Sequence, residues 1–197
     1  MKKYNLILAI AVSSMLMSYT LVAKNNNKEG IDEVNSIQKP SNSNGDDKKT
    51  IIINVISASN SNAVGSVTFK ESYGKVSMIA KLHGLNPGMH AIHLHENADC
   101  TSEDGKSAGG HWNPTKENHG KWGDAEGYHK GDIGNFEADS DGKVTYEFST
   151  DEWCIGCDDK KKNIIGKSVI VHEGEDDFTS QPSGDAGIRV ACAPILE

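Results

Sequence analysis

The chain has 197 residues and a formal net charge of −8, with charged residues of both signs mixed along it. The acidic balance and the lack of a basic stripe argue against a general nucleic-acid binder. Glycine is abundant and aromatic residues are few, a composition that favours a β-sandwich or β-barrel, and the length is sufficient for one domain with its own core.

The first 23 residues have the layout of a secretory signal peptide. Lys2 and Lys3 give a positive start, residues 6–17 form an apolar run, and a polar-to-small stretch ends at Ala23. An uncleaved membrane anchor is the alternative, but a span needs about 20 apolar residues and this run is shorter. We therefore expect cleavage, export to the periplasm or the extracellular space, and no stable membrane insertion of the mature protein.

Residues 24–49 differ in composition from the rest of the chain. They are rich in Asn, Ser, Lys and Asp and contain almost no large apolar residues. Such a segment cannot bury enough surface to offset the entropy of folding, which predicts a disordered polar linker. The folded domain is then expected to occupy residues 50–197.

Short segments with strand character follow one another from residue 51. Residues 51–57 are dense in Ile and Val, and residues 64–69 alternate, with Val67 and Phe69 on one face. Asp139 to Gly142 carry a hairpin signal. Regularly spaced short strands predict an all-β sandwich or closed barrel. The other predicted strands are residues 76–82, 89–96, 133–138, 144–149, 168–172 and 188–192.

Two stretches lack strand character, residues 97–131 and residues 173–187. A loop as long as the first is uncommon in a compact domain unless it is functional. This loop contains three of the eight histidines, which favours a functional role.

His93 and His95 are two residues apart in a predicted strand, so both imidazoles point to the same face and can meet one metal ion. Alone this pair is a weak signal, because the same spacing occurs by chance on ordinary strands. Imidazole suits copper and zinc, and three nitrogens with one carboxylate suit tetrahedral zinc. The loop and a later strand supply further candidates: His111, His119, His129, Asp132 and His172.

These residues stand in motifs that resemble the copper/zinc superoxide dismutases from about residue 50 to the end of the chain. The resemblance implies a Greek-key, eight-stranded β-barrel or sandwich with two long functional loops, and copper and zinc ions as cofactors. The motifs are His90-Ala91-Ile92-His93-Leu94-His95-Glu96, Gly109-Gly110-His111-Trp112-Asn113-Pro114, His119-Gly120, Gly131-Asp132-Ile133-Gly134-Asn135, Val171-His172-Glu173 and Gly187-Ile188-Arg189-Val190-Ala191-Cys192.

The resemblance also implies a role for each candidate ligand. His111 resembles a bridging ligand shared by copper and zinc. Asp176 matches a carboxylate that links a copper-binding histidine to a zinc-binding histidine. The remaining expected ligands are His93, His95 and His172 for copper and His119, His129 and Asp132 for zinc.

The implied activity is conversion of superoxide to dioxygen and hydrogen peroxide at a redox-cycling copper. Zinc has no redox chemistry and is expected to order the long loop. His111 is expected to bridge as an imidazolate and to take up a proton during turnover. Arg189 matches the arginine that attracts and orients the superoxide anion, the expected substrate.

Four cysteines allow three disulfide pairings, and the sequence spacing alone does not choose among them. The resemblance implies the pair Cys100–Cys192. Cys154 and Cys157 match no position of the family, and their spacing suits a redox pair, half a zinc site or a local disulfide. Export favours the local disulfide, because disulfides persist in oxidising compartments.

Some features depart from the animal-type enzymes. Pro182 stands where those enzymes carry a lysine, Ala91 replaces a common glycine, and the segment between Cys100 and His111 is longer. These features resemble the bacterial exported branch of the family. His83 and His90 match no ligand position, and both are expected to be structural.

Two other functions remain as alternatives. An exported copper- and zinc-binding module without dismutase activity would keep the histidines but would not need Arg189 or a bridging His111. A purely structural β-sandwich would leave the histidines accidental, which the complete ligand set makes remote. The sequence leaves the oligomeric state open, a homodimer included.

Overall fold

Eight β-strands and one short 3-10 helix form the regular structure of residues 48–197, the part of the chain that the computed structural model describes. The predicted signal segment, residues 1–23, and the predicted linker up to residue 47 lie outside the described residues. Within residues 48–197, no helix has the length and apolar character needed to cross a bilayer. The elements are β1 (Lys49–Ser57), β2 (Val64–Ser72), β3 (Lys75–His83), β4 (Gly88–His95), the 3-10 helix Lys106–Ala108, β5 (Gly134–Ala138), β6 (Val144–Thr150), β7 (Ser168–His172) and β8 (Arg189–Pro194).

The eight strands form one antiparallel sheet in the order β5-β4-β7-β8-β1-β2-β3-β6. The two edge strands, β5 and β6, contact each other, and the ring centroids of Phe136 and Tyr146 lie 5.7 Å apart. The sheet therefore curls into a nearly closed barrel. The chain connects non-neighbouring strands from β3 to β4 and from β6 to β7, which gives the Greek-key order. The predicted all-β fold is confirmed.

The barrel interior is filled by alternate residues of the strands. On β3, Val76, Met78, Ala80 and Leu82 are buried while their neighbours face outward. This is the pattern that a pleated strand gives when one face packs on a core. The predicted inward face of β2 is also observed, because Val67 and Phe69 are fully buried.

Strands β4 and β7 differ from β3 because their outer faces are covered as well. Every residue of β7 is buried, as are the last six residues of β4. Inside the barrel, Ile92, Leu94, Val169 and Val171 join the main core. A separate small cluster on the outer face packs Ile170 and Cys192 against the loop residues Ala108 and Cys100. The first long loop thus covers this side of the barrel, and the second long loop contacts β4 through the carbonyl of Gly174.

Two turns between strands form in different ways, and the second of them, after β5, was predicted. Tyr73 and Gly74 have positive φ values of 51° and 72°, as in a two-residue type I′ hairpin, so β2 extends to Ser72 and pairs with Lys75. The turn after β5 also forms, with the Asp139 N–H donating to the Lys143 carbonyl over 3.0 Å. Its flanking strands pair with β4 and β3 instead of with each other, because the seam of the barrel lies between them.

The two disulfides close loops of very different length. Cys100–Cys192 spans 92 residues and joins the first long loop to β8, whereas Cys154–Cys157 spans three residues within one loop. A disulfide restricts the unfolded chain more strongly when it closes a longer loop. The loop-closure relation gives about 4–5 kcal/mol for the long link and about 2 kcal/mol for the short one.

We therefore expect the two disulfides to differ in their contribution to stability. In the metal-free protein, replacing both Cys100 and Cys192 by Ser should lower the melting temperature by on the order of 10 °C. Replacing both Cys154 and Cys157 by Ser should lower it by less than half as much. Calorimetry of the two variants measures the difference, and equal losses would contradict the loop-closure explanation.

Candidate metal centre

Strand β4 places two histidines on the outer face of the barrel. Ile92 and Leu94 point into the core, so His93 and His95 point outward on the opposite face of the pleat. In the ladder with β7, His93 lies opposite Ile170 and His95 opposite Ser168. His172 ends β7, beside a register irregularity between Val171 and His172. The strands thus bring three of the predicted copper ligands to one surface.

His111 joins this surface through the backbone of the first long loop. The Trp112 N–H donates to the Leu94 carbonyl over 2.8 Å, and His111 forms an isolated antiparallel bridge with His95. The Gly131 N–H donates to the Trp112 carbonyl over 3.0 Å, which brings the end of the loop to the same place. A Cβ at Gly131 would lie 2.2 Å from the Leu94 carbonyl oxygen, so this approach requires glycine.

The first group of candidate ligands consists of four buried histidines whose ligand atoms lie within 4.8 Å of one another. In each ring one nitrogen is unpaired within residues 48–197, although it is buried. The other nitrogen is held: His95 Nδ1 donates to Gly109 O over 2.9 Å, and His172 Nδ1 donates to Gly187 O over 3.2 Å. Buried polar atoms need partners, so four converging unpaired nitrogens fit a metal ion that prefers imidazole. The unpaired atoms are His93 Nδ1, His95 Nε2, His111 Nε2 and His172 Nε2.

The second group shares His111 with the first and adds His119, His129 and Asp132, all buried. Asp132 Oδ1 lies 2.8 Å from His111 Nδ1, and Asp132 Oδ2 lies 3.0 Å from His119 Nδ1. His119 Nδ1 and His129 Nδ1 make no hydrogen bond within residues 48–197, despite lying close to the Asp132 carboxylate. Three nitrogens and a carboxylate in this arrangement fit a tetrahedral zinc site.

Burial and hydrogen bonding set the charges of the two groups. Burial lowers the pKa of His111 to about 4 and that of His172 to about 3, so both imidazoles are neutral at pH 7, the form that binds a metal. Burial opposes ionisation of Asp132, but the rings of three histidines lie close to its carboxylate and hold its pKa far below the usual range. Burial lowers the pKa of His119, yet the neighbouring carboxylates of Asp132 and Asp176 raise it to about 9.

Asp176 connects the two groups. Its Oδ2 lies 2.9 Å from His93 Nε2 and its Oδ1 lies 2.9 Å from His119 Nε2, and the carboxylate is fully buried. Asn135 holds Asp176 in turn, since its Nδ2 donates to Asp176 O and its Oδ1 accepts from the Asp176 N–H. Gly184 has a φ of 73°, and a Cβ there would lie 2.1 Å from Asp176 Oδ1. Such partners fix the orientation of ligating imidazoles.

Arg189 lies at the start of β8, beside the first group. Its Nη1 donates to Gly105 O and its Nη2 to Gly109 O, each over 2.8 Å. Gly109 O also accepts from His95, so one carbonyl connects the guanidinium to a candidate ligand. The pKa of His95 is lowered chiefly by burial, then by the neighbouring His111 and then by the charge of Arg189. The disulfide Cys100–Cys192 fixes the same loop to β8.

The remaining histidines lie outside both groups. His83 is exposed at the end of β3. His90 is buried, and its two ring nitrogens lie 2.8 Å from the carbonyl oxygens of His172 and Asn86. No pattern in the sequence singled out Asn135, although it lies within one of the motifs, or Gln181 and Glu152. Gln181 contacts His119 of the second group, and Glu152 contacts Tyr128, the residue before His129.

Comparisons with known proteins agree with this geometry. The family model described as copper/zinc superoxide dismutase (SODC) matches residues 63–195. The chain is 36% identical over 152 residues to the extracellular superoxide dismutase [Cu-Zn] of Drosophila melanogaster, covering 73% of this chain and 81% of that protein. It is 35% identical over 145 residues to the superoxide dismutase [Cu-Zn] of Caulobacter vibrioides, covering 72% and 83%.

Other relatives carry different names. The copper chaperone for superoxide dismutase of Homo sapiens is 36% identical over 120 residues, covering 58% of this chain and 41% of that protein. The crystal structure of a SOD-like protein from Bacillus subtilis superposes with a TM-score of 0.66 at 30% identity, covering 74% of this chain and 97% of that one. From the match over residues 63–195 and these identities, the chain belongs to the copper/zinc superoxide dismutase family, whose metals are copper and zinc.

Proposed function

We propose that this protein is an exported superoxide dismutase that converts superoxide to dioxygen and hydrogen peroxide. The observation that carries the proposal is the pair of complete donor groups that share His111, with Arg189 held beside the first of them. Copper, when bound, supplies one-electron redox chemistry, in which one superoxide is oxidised to dioxygen and a second is reduced, with two protons, to hydrogen peroxide.

Each donor group suits one of the two metals. We assign His93, His95, His111 and His172 to copper, because four buried imidazole nitrogens without hydrogen-bond partners in residues 48–197 converge there. We assign His111, His119, His129 and Asp132 to zinc, because the set contains the carboxylate that zinc accepts. His111 offers Nε2 to one group and Nδ1 to the other, so it is the ligand common to both.

Arg189 is the group that we assign to substrate binding. Superoxide is a small anion, and the chain as a whole is acidic, so a local positive charge is needed beside the site. The guanidinium is half-buried, and within residues 48–197 two of its donors are occupied, by the carbonyls of Gly105 and Gly109. An arginine carries five N–H donors, so others are free to bind an anion.

His111 is the residue that we assign to proton transfer. Reduction of superoxide to hydrogen peroxide consumes protons, so a group beside the substrate must deliver one. Asp132 lies 2.8 Å from His111 Nδ1 and fixes the ring. Nε2 has no hydrogen-bond partner within residues 48–197 and faces the first group, so it would hold and release a proton whenever it is not bound to copper.

Export is part of the proposal. The relatives include extracellular superoxide dismutases from Drosophila melanogaster, Caenorhabditis elegans and Brugia pahangi. The chain begins with the pattern of a signal peptide. Its four cysteines form two disulfides, which persist in oxidising compartments. We propose a periplasmic or extracellular location.

A copper- and zinc-binding module without dismutase activity is the second candidate. It is supported by the copper chaperones and the SOD-like protein among the relatives. The placement of Arg189 favours the enzyme, because a protein that only binds metal ions does not need a cation directed towards an anionic substrate.

Metal analysis with an activity assay separates the two functions. The purified mature protein, loaded with both metals, should contain about one copper and one zinc per chain, since each donor group has four ligands. It should also consume superoxide in a pulse-radiolysis or cytochrome c assay. Both metals without activity would favour the binding module, and a chain that binds neither metal would contradict both functions.

Neutralising Arg189 tests its role in substrate binding. The Arg189→Gln variant should lose on the order of 10-fold in rate at low ionic strength, because the attraction of superoxide is lost, while copper content stays near one per chain. Lys81→Gln is the matched control, since it removes the same charge from an exposed position on β3. Equal rates for Arg189→Gln and the unmodified protein would refute the assignment.

A further inference from the structure

Three of the proposed zinc ligands, His119, His129 and Asp132, lie in a stretch that has no strand or helix. We call residues 112–132 the zinc loop. Within it the backbone runs through turns and irregular segments, and the two histidines are ten residues apart. Ordering such a segment costs conformational entropy, so ligands on it bind a metal tightly only if the loop is already held in place.

His119 is held by a side chain from the other long loop. Gln181 Oε1 accepts from the His119 N–H over 2.9 Å, and Gln181 Nε2 donates to the His119 carbonyl over 2.8 Å. Both backbone groups of the ligand are therefore paired with one planar amide, as they would be in a β-ladder. Only Asn and Gln offer a donor and an acceptor together in this way. The contact joins residues that are 62 positions apart.

His129 is held through the residues on either side of it. The Tyr128 hydroxyl donates to Glu152 Oε1 over 2.6 Å, and Lys130 forms an ion pair with Glu152 Oε2. Trp153 Nε1 donates to the Lys130 carbonyl over 2.8 Å, and its side chain is 1% exposed. One short segment after β6 thus contacts both neighbours of a proposed zinc ligand.

That segment is itself fixed to the barrel and to the short disulfide. The Glu152 N–H donates to Thr150 Oγ1 at the end of β6. Cys154 follows Trp153 directly, and its disulfide with Cys157 closes the next turn of the chain. The Cys154 N–H donates to the Lys162 carbonyl, and the Ile164 N–H donates to the Cys154 carbonyl. The cysteine pair, which matches no family position, therefore lies where it stiffens the anchor of the zinc loop.

We propose that Gln181 and Glu152 are positioning residues that hold His119 and His129 in place before zinc binds. The inference rests on the proposed zinc site and concerns how the ligands of that site are held in position. The two contacts come from separate parts of the chain, one from residues 173–187 and one from the segment after β6. Loss of either contact should leave the ligands present but less well oriented. Removal of such supporting partners typically weakens metal binding by about 10- to 100-fold.

The experiment measures zinc release from the protein loaded with both metals. Gln181→Met and Glu152→Met keep the side-chain length and remove the polar atoms. Each should release zinc to a chromogenic chelator about 10-fold faster than the unmodified protein, and the double variant faster still. Gln181→Glu should fall between Gln181→Met and the unmodified protein, because it retains an acceptor for the His119 N–H but loses the donor.

Matched controls separate positioning from general stability. Glu147→Met makes the same substitution at an exposed residue of β6, and Thr179→Val changes an exposed residue on the loop of Gln181. Both should release zinc at the rate of the unmodified protein. Melting of the metal-free proteins should differ little between variants and controls. The absorption spectrum of Co²⁺ bound in place of zinc should change in Gln181→Met and Glu152→Met, since it reports ligand geometry.

The possible results are distinct. Zinc release and Co²⁺ spectra that match the unmodified protein in both variants would overturn this inference and leave the proposed function intact. Faster release that is accompanied by an equal loss of metal-free stability would also overturn it, because the contacts would then be structural only. An unmodified protein that binds no zinc would overturn the inference and the proposed zinc site together.

Discussion

The pleat of β4 is the constraint on which the rest of the site depends. Ile92 and Leu94 are committed to the barrel core, so His93 and His95 must point outward. The outward face of a barrel strand is normally exposed to solvent. Both histidines are nevertheless buried, because the two long loops pack over β4 and β7. The polar centre thus lies between the outer face of the barrel strands and the two long loops, which have little regular structure. A shift of one residue in register would exchange the histidines with the core residues.

Burial of so many polar groups is acceptable only if each one has a partner. In the two groups each imidazole has one nitrogen fixed by a carbonyl or carboxylate and one directed at its neighbours. Asp176 and Asp132 provide the negative charge, and Asn135 holds Asp176 through its backbone. The result is a network in which ring orientation is decided by residues that do not themselves face the proposed copper.

Much of the fold and part of the site could be predicted from the sequence. The alternation of Val67 with Phe69 and the spacing of His93 and His95 have a period of two, which a strand converts directly into a face. The grouping of His111, His119 and Asp132 came from the resemblance. Residues in an irregular loop have no repeating spacing that predicts which of them lie on one face. For the same reason Gln181 and Glu152 were missed. Each is a polar residue in or near a loop, and its partner lies 62 and 24 positions away, respectively, along the chain.

The order of the strands has a consequence for when the centre can form. β1 lies between β2 and β8 in the sheet, so the first strand of the barrel is bounded on one side by the last. His172, Arg189 and Cys192 all belong to the final part of the chain. A chain that emerges from a ribosome with its N-terminus leading therefore has the donors of β4 available well before their partner on β7. The first donor group has to wait for His172 on β7, and such non-local pairing is slow to form. The proposed copper site is accordingly completed later than the proposed zinc site, whose four residues all lie between His111 and Asp132.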